Sequence, residues 1–247
     1  STDQPTAHKF YAELMGWGTQ DVPIGEGMNY TFFHVDGHNV GAVSPMPPQM
    51  QEKGMPSAWQ SYVTVEDVDA LEAKVTEAGG TVVSPPYDVF ESGRMMTIQD
   101  PTGAVVSLWQ PKGSIGAGMV NTTGAMGWNE LSTTDVQAAQ DFYGKLLGWT
   151  FDKDPNMDYT YIKNNGRFNG GMLPLAEDAH YPPNWMVYYS VADIDATVAK
   201  VKELGGKLLT DIIDSSAGKF AVIQDPTGGV FTALQPTQVE AWLEHGE

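Results

Sequence analysis

Apolar residues follow two spacings along this chain, and the two spacings predict its helices and strands. Phe10, Tyr11 and Leu14 recur at helical spacing, and a second such stripe begins at Val68. The runs that follow each helix, such as 30–35, are short and apolar and are bounded by turn-forming residues, which is the pattern of strands. Each cycle of the pattern therefore predicts a helix followed by three strands.

The predicted helices share a common start. An aspartate precedes each apolar stripe at the position where its side chain can accept a hydrogen bond from the first turn. The four aspartates are Asp3, Asp67, Asp135 and Asp193. The two cycles of the second half also include the strand that opens each cycle, at 128–131 and 185–191. In the first cycle of the chain, the opening strand is expected to precede Ser1.

A hexapeptide, Ile-Gln-Asp-Pro-Thr-Gly, occurs at 98–103 and returns unchanged at 223–228. Asp-Pro-Thr-Gly predicts a tight turn, because Pro presets φ, Gly accepts a positive φ, and Asp can bond the backbone two residues on. An apolar strand-like run follows each copy. Each hexapeptide is therefore predicted to be the turn of a hairpin that closes a repeated structural unit.

The repeat predicts an α+β fold of four βαβββ modules, two in each half of the chain. Residues 3–17 and 135–149 align, since both contain Phe-Tyr and end in Gly-Trp. The segment after residue 112 is rich in Gly, Ser and Thr and has no apolar periodicity, so it is predicted to be a linker. The predicted limits are domain 1 at 1–112, the linker at 113–126, and domain 2 with a short amphipathic tail helix at 127–247.

Composition narrows the possible partners. The 247 residues include 13 Lys and Arg against 31 Asp and Glu, for a net charge of −18. Nucleic acid is therefore not an expected partner, because phosphate binding needs clustered cations. No apolar run approaches a membrane span, and no leader pattern opens the sequence. Cysteine is absent, which excludes disulfides and thiolate metal sites and fits a cytoplasmic location.

Four βαβββ modules with FY…LGW, Gly-Gly and Asp-Pro-Thr-Gly at these spacings resemble the vicinal-oxygen-chelate superfamily. That superfamily includes glyoxalase I, extradiol dioxygenases, and bleomycin- and fosfomycin-resistance proteins. More narrowly, the chain resembles the tandem glyoxalase-like proteins of actinobacteria. The resemblance implies two cup-shaped domains that pack as an internal pseudo-dimer in a monomeric chain.

The resemblance also implies where a metal ion would bind in each cup. The positions at the start of the first strands hold Gln60, Trp128 and Met186 here, and the final-strand Glu falls on Ser107 and Thr232. The remaining position falls near residues 42–43 and 171–172. Divalent metals in such cups need carboxylate oxygen and imidazole nitrogen, and only Gln60 is an acceptable ligand. We therefore expect no metal ion and no other cofactor.

Strand alternation predicts which side chains line the cups. They form an aromatic, Met-containing and sparsely polar set that suits planar ligands. The alternative is that they pack between domains. The candidate ligand-binding residues are Gln60, Ser107, Trp109, Trp128, Met186, Tyr188, Thr232 and Leu234.

Two further residues are candidates for chemistry. Glu130 shares a strand face with Trp128, where it could act as a general acid–base or as the counter-ion of a cationic ligand; alternatively, it is an exposed rim glutamate. Tyr62 is predicted to face the cup of the first domain and could also transfer protons. His34 and His38 flank Asp36-Gly37, and we interpret this segment as a hairpin turn rather than a metal site.

Three functions remain open from the sequence. The leading hypothesis is a metal-independent protein that binds a bulky, largely apolar or aromatic small molecule, as in sequestration or drug resistance. The second is an enzyme of the same fold that uses Glu130 or Tyr62 without a metal. The third is a metal-dependent lyase or dioxygenase, against which the residues at the ligand positions argue.

Overall fold

The computed structural model describes residues 1–25 and 27–237, and the predicted tail helix at 239–247 lies outside this part of the chain. Four modules follow one another. Module 1 comprises α1 (Gln4–Met15), β1 (Gly18–Gly25), β2 (Met28–Val35), β3 (His38–Val43) and the short α2 (Pro48–Glu52). Module 2 comprises β4 (Tyr62–Thr64), α3 (Asp69–Glu77), β5 (Thr81–Val89), β6 (Gly93–Gln99) and β7 (Val105–Pro111).

Modules 3 and 4 repeat this order in the second half. Module 3 comprises β8 (Met126–Thr133), α4 (Val136–Leu147), β9 (Thr150–Lys153), β10 (Thr160–Asn164) and β11 (Arg167–Pro174). Module 4 comprises β12 (Asn184–Ser190), α5 (Ile194–Glu203), β13 (Lys207–Leu208), β14 (Ile213–Ser215), β15 (Gly218–Gln224) and β16 (Val230–Pro236). The predicted α+β fold of repeated modules is confirmed.

The predicted caps explain where these helices begin. Asp3, Asp135 and Asp193 each accept a hydrogen bond from the backbone three residues on, and α1, α4 and α5 start immediately after them. Asp67 does the same for the Ala70 amide at 3.0 Å, although α3 itself begins at Asp69. Two modules differ from the predicted helix followed by three strands: module 1 ends in the short α2, and module 4 has four strands after α5.

The modules assemble into two compact units, and each unit takes one module from each half of the chain. Among the described residues, unit 1 contains 1–59, 116–127 and 187–237, which are essentially modules 1 and 4. Unit 2 contains 60–115 and 128–186, which are modules 2 and 3 with the first residues of β12. The predicted domain limits follow the sequence repeat, whereas the compact units combine the two halves.

Each unit contains two sets of paired strands covered by helices. In unit 1, β1, β2 and β3 form an antiparallel sheet, and β15 pairs antiparallel with β16, which pairs parallel with β12. In unit 2 the orders are β4-β7-β6-β5 and β8-β11-β10-β9. The pairs β4–β7 and β8–β11 are parallel, and the other pairs are antiparallel.

A Trp–Tyr–Asp chain with a buried tyrosine and a buried aspartate connects the two halves inside each unit. In unit 1, Trp59 Nε1 donates to the Tyr11 hydroxyl at 2.8 Å, and that hydroxyl donates to Asp225 Oδ2 at 2.8 Å. Burial first, and then the charge of Asp225, raises the pKa of Tyr11 well above its usual value, so the phenol stays protonated. The hexapeptide aspartate therefore ties the turn of one half to the first helix of the other.

Unit 2 repeats this chain with the halves exchanged. Trp185 Nε1 donates to the Tyr143 hydroxyl at 2.9 Å, and Tyr143 donates to Asp100 Oδ2 at 3.0 Å. The other oxygen of Asp100 accepts from the Thr102 amide at 2.8 Å, as the turn prediction requires, and Gly103 has a φ of 106°. Each hexapeptide thus makes the predicted turn and also supplies a buried carboxylate to the opposite half.

A Gly-Gly pair follows α3 at residues 79–80 and α5 at residues 205–206, and each pair packs against the other half of the chain. A Cβ atom on Gly80 would lie 2.5 Å from Phe142 Cε2 and 2.8 Å from the Gln99 carbonyl oxygen. A Cβ atom on Gly206 would lie 2.9 Å from Phe10 Cε2. Glycine is needed at both positions because the phenylalanine of the other half's first helix occupies the space of a side chain.

Among the described helices, none has both the length and the apolar character needed to cross a lipid bilayer.

Candidate functional site

The ten candidate residues divide between the two units. Unit 2 contains seven of them, which are Gln60, Tyr62, Ser107, Trp109, Trp128, Glu130 and Met186. Unit 1 contains the other three, which are Tyr188, Thr232 and Leu234. The most connected group of polar and aromatic side chains lies on one sheet of unit 2, around β8.

Strand β8 presents Trp128 and Glu130 on one face because Leu131, on the other face, lies in the core beneath α4. Cross-strand register extends this face: Glu130 pairs with Gly171, Gly171 with Tyr161, and Tyr161 with Asp152. One row of residues therefore crosses β8, β11, β10 and β9, and it consists of a glutamate, a glycine, a tyrosine and an aspartate. We call this side of the β8-β11-β10-β9 sheet the aromatic face.

Tyr159 is the central residue of the aromatic face. Its hydroxyl accepts a hydrogen bond from Trp128 Nε1 at 2.8 Å and donates one to Glu130 Oε2 at 2.9 Å. The three side chains therefore form a second Trp–Tyr–carboxylate chain in unit 2, but here Trp128 and Glu130 are half-buried rather than buried in the core. Burial first, and then the charge of Glu130, raises the pKa of Tyr159 far above its usual value.

Tyr159 can occupy its position because residue 171 is a glycine and has no side chain. A Cβ atom on Gly171 would overlap the hydroxyl oxygen and the Cζ atom of Tyr159. The phenol therefore lies directly over the glycine backbone. The corresponding strand of module 1 has the same Tyr-Thr pair at 30–31, but Ala42 stands where module 3 has Gly171. In module 3, the glycine therefore leaves space for the Tyr159 ring over the backbone. In module 1, the Ala42 side chain occupies the corresponding space.

Further aromatic rings continue along the aromatic face. The rings of Tyr159 and Tyr161 lie edge to face at 5.2 Å, and those of Tyr161 and Phe168 at 5.4 Å. The hydroxyl of Tyr161 donates to Asp154 Oδ2 at 3.0 Å. Lys163 lies over the Phe168 ring and forms an ion pair with Asp152. The polar groups around the rings are therefore mostly carboxylates.

The candidates on module 2 lie on a separate strand pair of unit 2. Tyr62 is 52% exposed, and its ring meets that of Trp109 edge to face at 6.3 Å. Trp109 lies against Gly93 and donates from Nε1 to the Ser114 carbonyl at 2.9 Å. Ser107, in contrast, is fully buried and shares a hydrogen bond with the Thr97 hydroxyl at 3.0 Å. Burial keeps the Ser107 hydroxyl from a ligand in this conformation.

Module 2 approaches module 3 close to Trp128. Ser61 Oγ donates to Asn129 Oδ1 at 2.9 Å, so the segment that leads into β4 lies beside β8. Gln60 is exposed, and its amide donates to the Ser61 carbonyl at 3.3 Å. Met186, at the start of β12, is half-buried. Of the seven candidates in unit 2, the structure joins Trp128 with Glu130 through Tyr159 and Tyr62 with Trp109 directly.

The three candidates in unit 1 lie on β12 and β16. Tyr188 is half-buried and faces Phe220, with 6.2 Å between ring centroids. Thr232 pairs with Tyr188 across the parallel strands and is fully buried, with no hydrogen-bond partner for its hydroxyl among the described residues. Leu234 borders a shallow recess beside the loop 121–123. The three therefore offer fewer accessible polar groups than the aromatic face.

Tyr159 was not among the residues that the sequence singled out. Its signal was present, because the Tyr-Thr pair of β2 and the start of β10 repeats at a spacing of 159 − 30 = 129 residues. The informative difference lies at the next strand, where glycine replaces alanine. Only the fold shows that this glycine receives the phenol.

The comparisons with known proteins agree with the fold and the repeat. Residues 1–108 match the model of the Glyoxalase/Bleomycin resistance protein/Dioxygenase superfamily, and residues 129–234 match a glyoxalase-like domain. The chain is 42% identical over 241 residues to "Putative glyoxylase CFP32" of Mycobacterium tuberculosis, covering 96% of this chain and 92% of that protein. The chain therefore belongs to the glyoxalase, bleomycin resistance protein and dioxygenase superfamily, and it carries two such domains in tandem.

Two other matches extend this result. The anthracycline biosynthesis protein DnrV of Streptomyces peucetius is 33% identical over 249 residues, covering 95% of this chain and 90% of that protein. A solved structure, the Mn(II)-bound glyoxalase of Novosphingobium aromaticivorans, matches with a TM-score of 0.61 and 19% identity, covering 97% of this chain and 81% of that one. At that identity, the match shows a shared fold and not a shared site.

The residues of this chain do not fit the metal ion of that fold neighbour. No group of three or more His, Cys, Asp or Glu side chains in 1–25 and 27–237 is arranged to hold a metal ion. In unit 2, the positions at which the resemblance implies metal ligands hold Gln60, Ser107 and Trp128, and the fourth falls near residues 171–172. The space over Gly171 is taken by the Tyr159 phenol, which is protonated and bonded on both sides.

We predict that the protein, purified without chelators, contains no stoichiometric Zn, Ni, Fe or Mn. The reason is the donor set, since indole and a protonated phenol are not ligands for these ions. Elemental analysis measures the content, and thermal unfolding with each added metal tests for a weak site. A tightly held transition metal ion in either unit would contradict the prediction.

Proposed function

We propose that this protein binds a bulky, largely apolar or aromatic small molecule without a metal ion, as a sequestration or resistance protein. The observation that carries the proposal is the aromatic face of unit 2, where Trp128, Tyr159 and Glu130 are joined in one hydrogen-bonded chain. Cytoplasmic location and a monomeric chain with an internal pseudo-dimer belong to the same proposal.

The chemistry of the aromatic face suits a planar ligand. Indole and phenol rings stack on flat aromatic surfaces, and each well-placed ring contact contributes about 0.5–1.5 kcal/mol beyond burial. Hydrogen bonds hold Trp128 and Tyr159 in place, so little rotamer freedom remains to be lost when a ligand binds. A preformed wall of this kind favours a rigid, flat molecule over a flexible chain.

The relatives support the same class of ligand. DnrV is named for anthracycline biosynthesis, and anthracyclines are polycyclic aromatic compounds. The identity between DnrV and this chain extends over both domains. We therefore propose that the ligand of this protein is also a fused-ring aromatic molecule.

A second candidate function is a metal-free enzyme that acts on such a molecule by acid–base chemistry. The hydrogen bond from Tyr159 to Glu130 favours the enzyme hypothesis, because it places a carboxylate on the aromatic face. A carboxylate in that position can accept a proton from a bound ligand. Tyr62 is exposed and could serve as a second proton-transfer group. Incubation with a bound aromatic compound, followed by mass spectrometry, separates the two candidates, since binding alone returns the compound unchanged.

We expect three-ring planar probes to bind saturably, and we expect Trp128→Ala to weaken their binding at least about tenfold through loss of the stacking wall. Equilibrium dialysis with a protonated aminoacridine and with xanthone, which is uncharged, measures the dissociation constants. Phe90→Ala is the matched control, because Phe90 is a 71% exposed aromatic residue at the β5–β6 turn, away from the aromatic face. If neither probe binds saturably, the proposed function is wrong.

A further inference from the structure

We propose that unit 1 contains a second binding site, in which the Ser190 hydroxyl anchors a neutral, hydroxyl-bearing ring such as a pyranose sugar. The site is the shallow recess that Leu234 borders, and all of its described lining residues belong to unit 1. The aromatic face belongs to unit 2, so a failure of this inference would leave the proposed function unaffected.

Ser190 lies at the recess with its side chain unpaired. The residue is only 6% exposed, and it lines the recess. Its backbone is paired, since its amide donates to the Ala125 carbonyl at 2.9 Å and its carbonyl accepts from the Gly124 amide at 2.8 Å. Its hydroxyl forms no hydrogen bond with any other described residue. A nearly buried hydroxyl without a partner is unfavourable, so a ligand that supplies one is bound more tightly.

Gly127 fixes where this hydroxyl lies. A Cβ atom on Gly127 would overlap Ser190 Oγ, so the hydroxyl lies directly over the glycine backbone. On the other side of Ser190, the parallel strand β16 places Leu234 beside it. The neighbouring strands therefore hold the hydroxyl in place, and little of its freedom remains to be lost when a ligand binds.

The segment that connects the two halves supplies the polar wall of the recess. Residues 116–127 pack into unit 1, where Ala125 is fully buried in the core. Trp17 Nε1 also donates to the Gly124 carbonyl at 2.7 Å. These contacts hold the loop 121–123 at the recess, to which it contributes an asparagine and two threonines. Amide and hydroxyl side chains both donate and accept hydrogen bonds.

The lining of the recess determines the class of ligand. Every described residue that lines it is uncharged. A charged ligand would lose water there without gaining a charged partner, so a neutral molecule is favoured. Leu234 and Pro236 add an apolar surface beside the polar groups. A sugar ring matches this combination, because its hydroxyl groups donate and accept hydrogen bonds and its C–H faces are apolar. The shallow recess suits one ring rather than three.

A second unpaired hydroxyl lies on the same strand face. Thr232 precedes Leu234 by two residues, so both side chains lie on one side of β16. Thr232 is fully buried, and its hydroxyl has no partner among the described residues. In unit 2 the corresponding Ser107 bonds to Thr97, but in unit 1 Val222 stands at the position of that threonine. Because buried hydroxyls are usually paired, two exceptions on one face indicate a surface shaped for a ligand.

The test uses methyl α-glucopyranoside and the methyl glycoside of glucuronic acid, which differs by a carboxylate. We expect the neutral glycoside to bind with a dissociation constant of about 1 mM and the charged one at least about tenfold more weakly. Amide chemical shifts of isotope-labelled protein measure both constants and locate the site, with the largest shifts at Gly127, Ser190 and Leu234. The inference is overturned if the neutral glycoside does not saturate, if the two bind equally, or if the shifts centre on unit 2.

Two serines of unit 1 separate binding from stability. Ser190→Ala removes a hydroxyl that has no partner among the described residues, so it should weaken the neutral glycoside at least about fivefold and leave the thermal midpoint nearly unchanged. Ser57 is 5% exposed and lies outside the described lining, and its hydroxyl accepts from the Thr2 amide at 2.9 Å. Ser57→Ala should lower the thermal midpoint by about 2–4 °C and leave glycoside binding unchanged. If Ser190→Ala binds the glycoside as the wild type does, Ser190 is not the anchor and the inference is overturned.

Discussion

Replacing Asp100 with Ala is expected to lower the free energy of unfolding by about 3–5 kcal/mol. The Asp100 side chain is nearly fully buried, and one oxygen accepts from the amides of Thr102, Gly103 and Ala104 at 2.8, 3.0 and 3.1 Å. Its other oxygen accepts from Tyr143. Alanine would leave these donors unpaired in a buried turn, and the Tyr143 hydroxyl would lose its acceptor.

Urea unfolding measures this loss as a lower midpoint with an unchanged slope. Asp67→Ala is the matched control, because Asp67 also accepts a backbone amide but is exposed at the start of α3. It should cost about 1 kcal/mol. If the two variants lost equal free energies of unfolding, the buried carboxylate of Asp100 would stabilise the protein no more than the exposed helix cap of Asp67 does.

Residues 1–112 expressed alone are expected to form dimers or aggregates rather than monomers. This fragment contains modules 1 and 2, and the structure packs each of them with a module from the other half. Phe10 and Tyr11 would lose Phe231, with which both form ring contacts in the core of unit 1. Exposed apolar surface of this kind drives association, and two copies can restore both pairings by exchange.

Light scattering after size-exclusion chromatography gives the mass of the fragment. Mixing it with residues 113–247 supplies the control, because the two fragments should form a one-to-one complex with the near-ultraviolet spectrum of the intact chain. A stable, monodisperse monomer of residues 1–112 would mean that the halves fold independently and that the exchanged packing is not required.

Local chemistry explains why much of the fold could be predicted. Asp3 and Asp135 cap their helices through bonds within four residues, and the hexapeptide makes its turn from its own Asp, Pro and Gly. Repetition of such signals at matching intervals gives the modules and the family. None of these features depends on what the modules later touch.

The pairing of modules could not be predicted because the local signals of each module do not depend on which other module it packs against. Only the long-range bonds Tyr11–Asp225 and Tyr143–Asp100 decide which modules share a core. The candidate site has the same limitation. Trp128 and Glu130 follow from alternation along one strand, whereas Tyr159 joins them from another strand through the space over Gly171.

The contact of each Gly-Gly turn with the other half's phenylalanine has a consequence for inheritance. Duplicated genes usually leave one copy free to drift, but here the first copy's Gly80 closes on Phe142 of the second, and Gly206 of the second closes on Phe10 of the first. Selection on either copy therefore acts through residues encoded in the other. A recombination that exchanged one half with a distant relative would separate residues that pack against each other, so the two halves are expected to be inherited together.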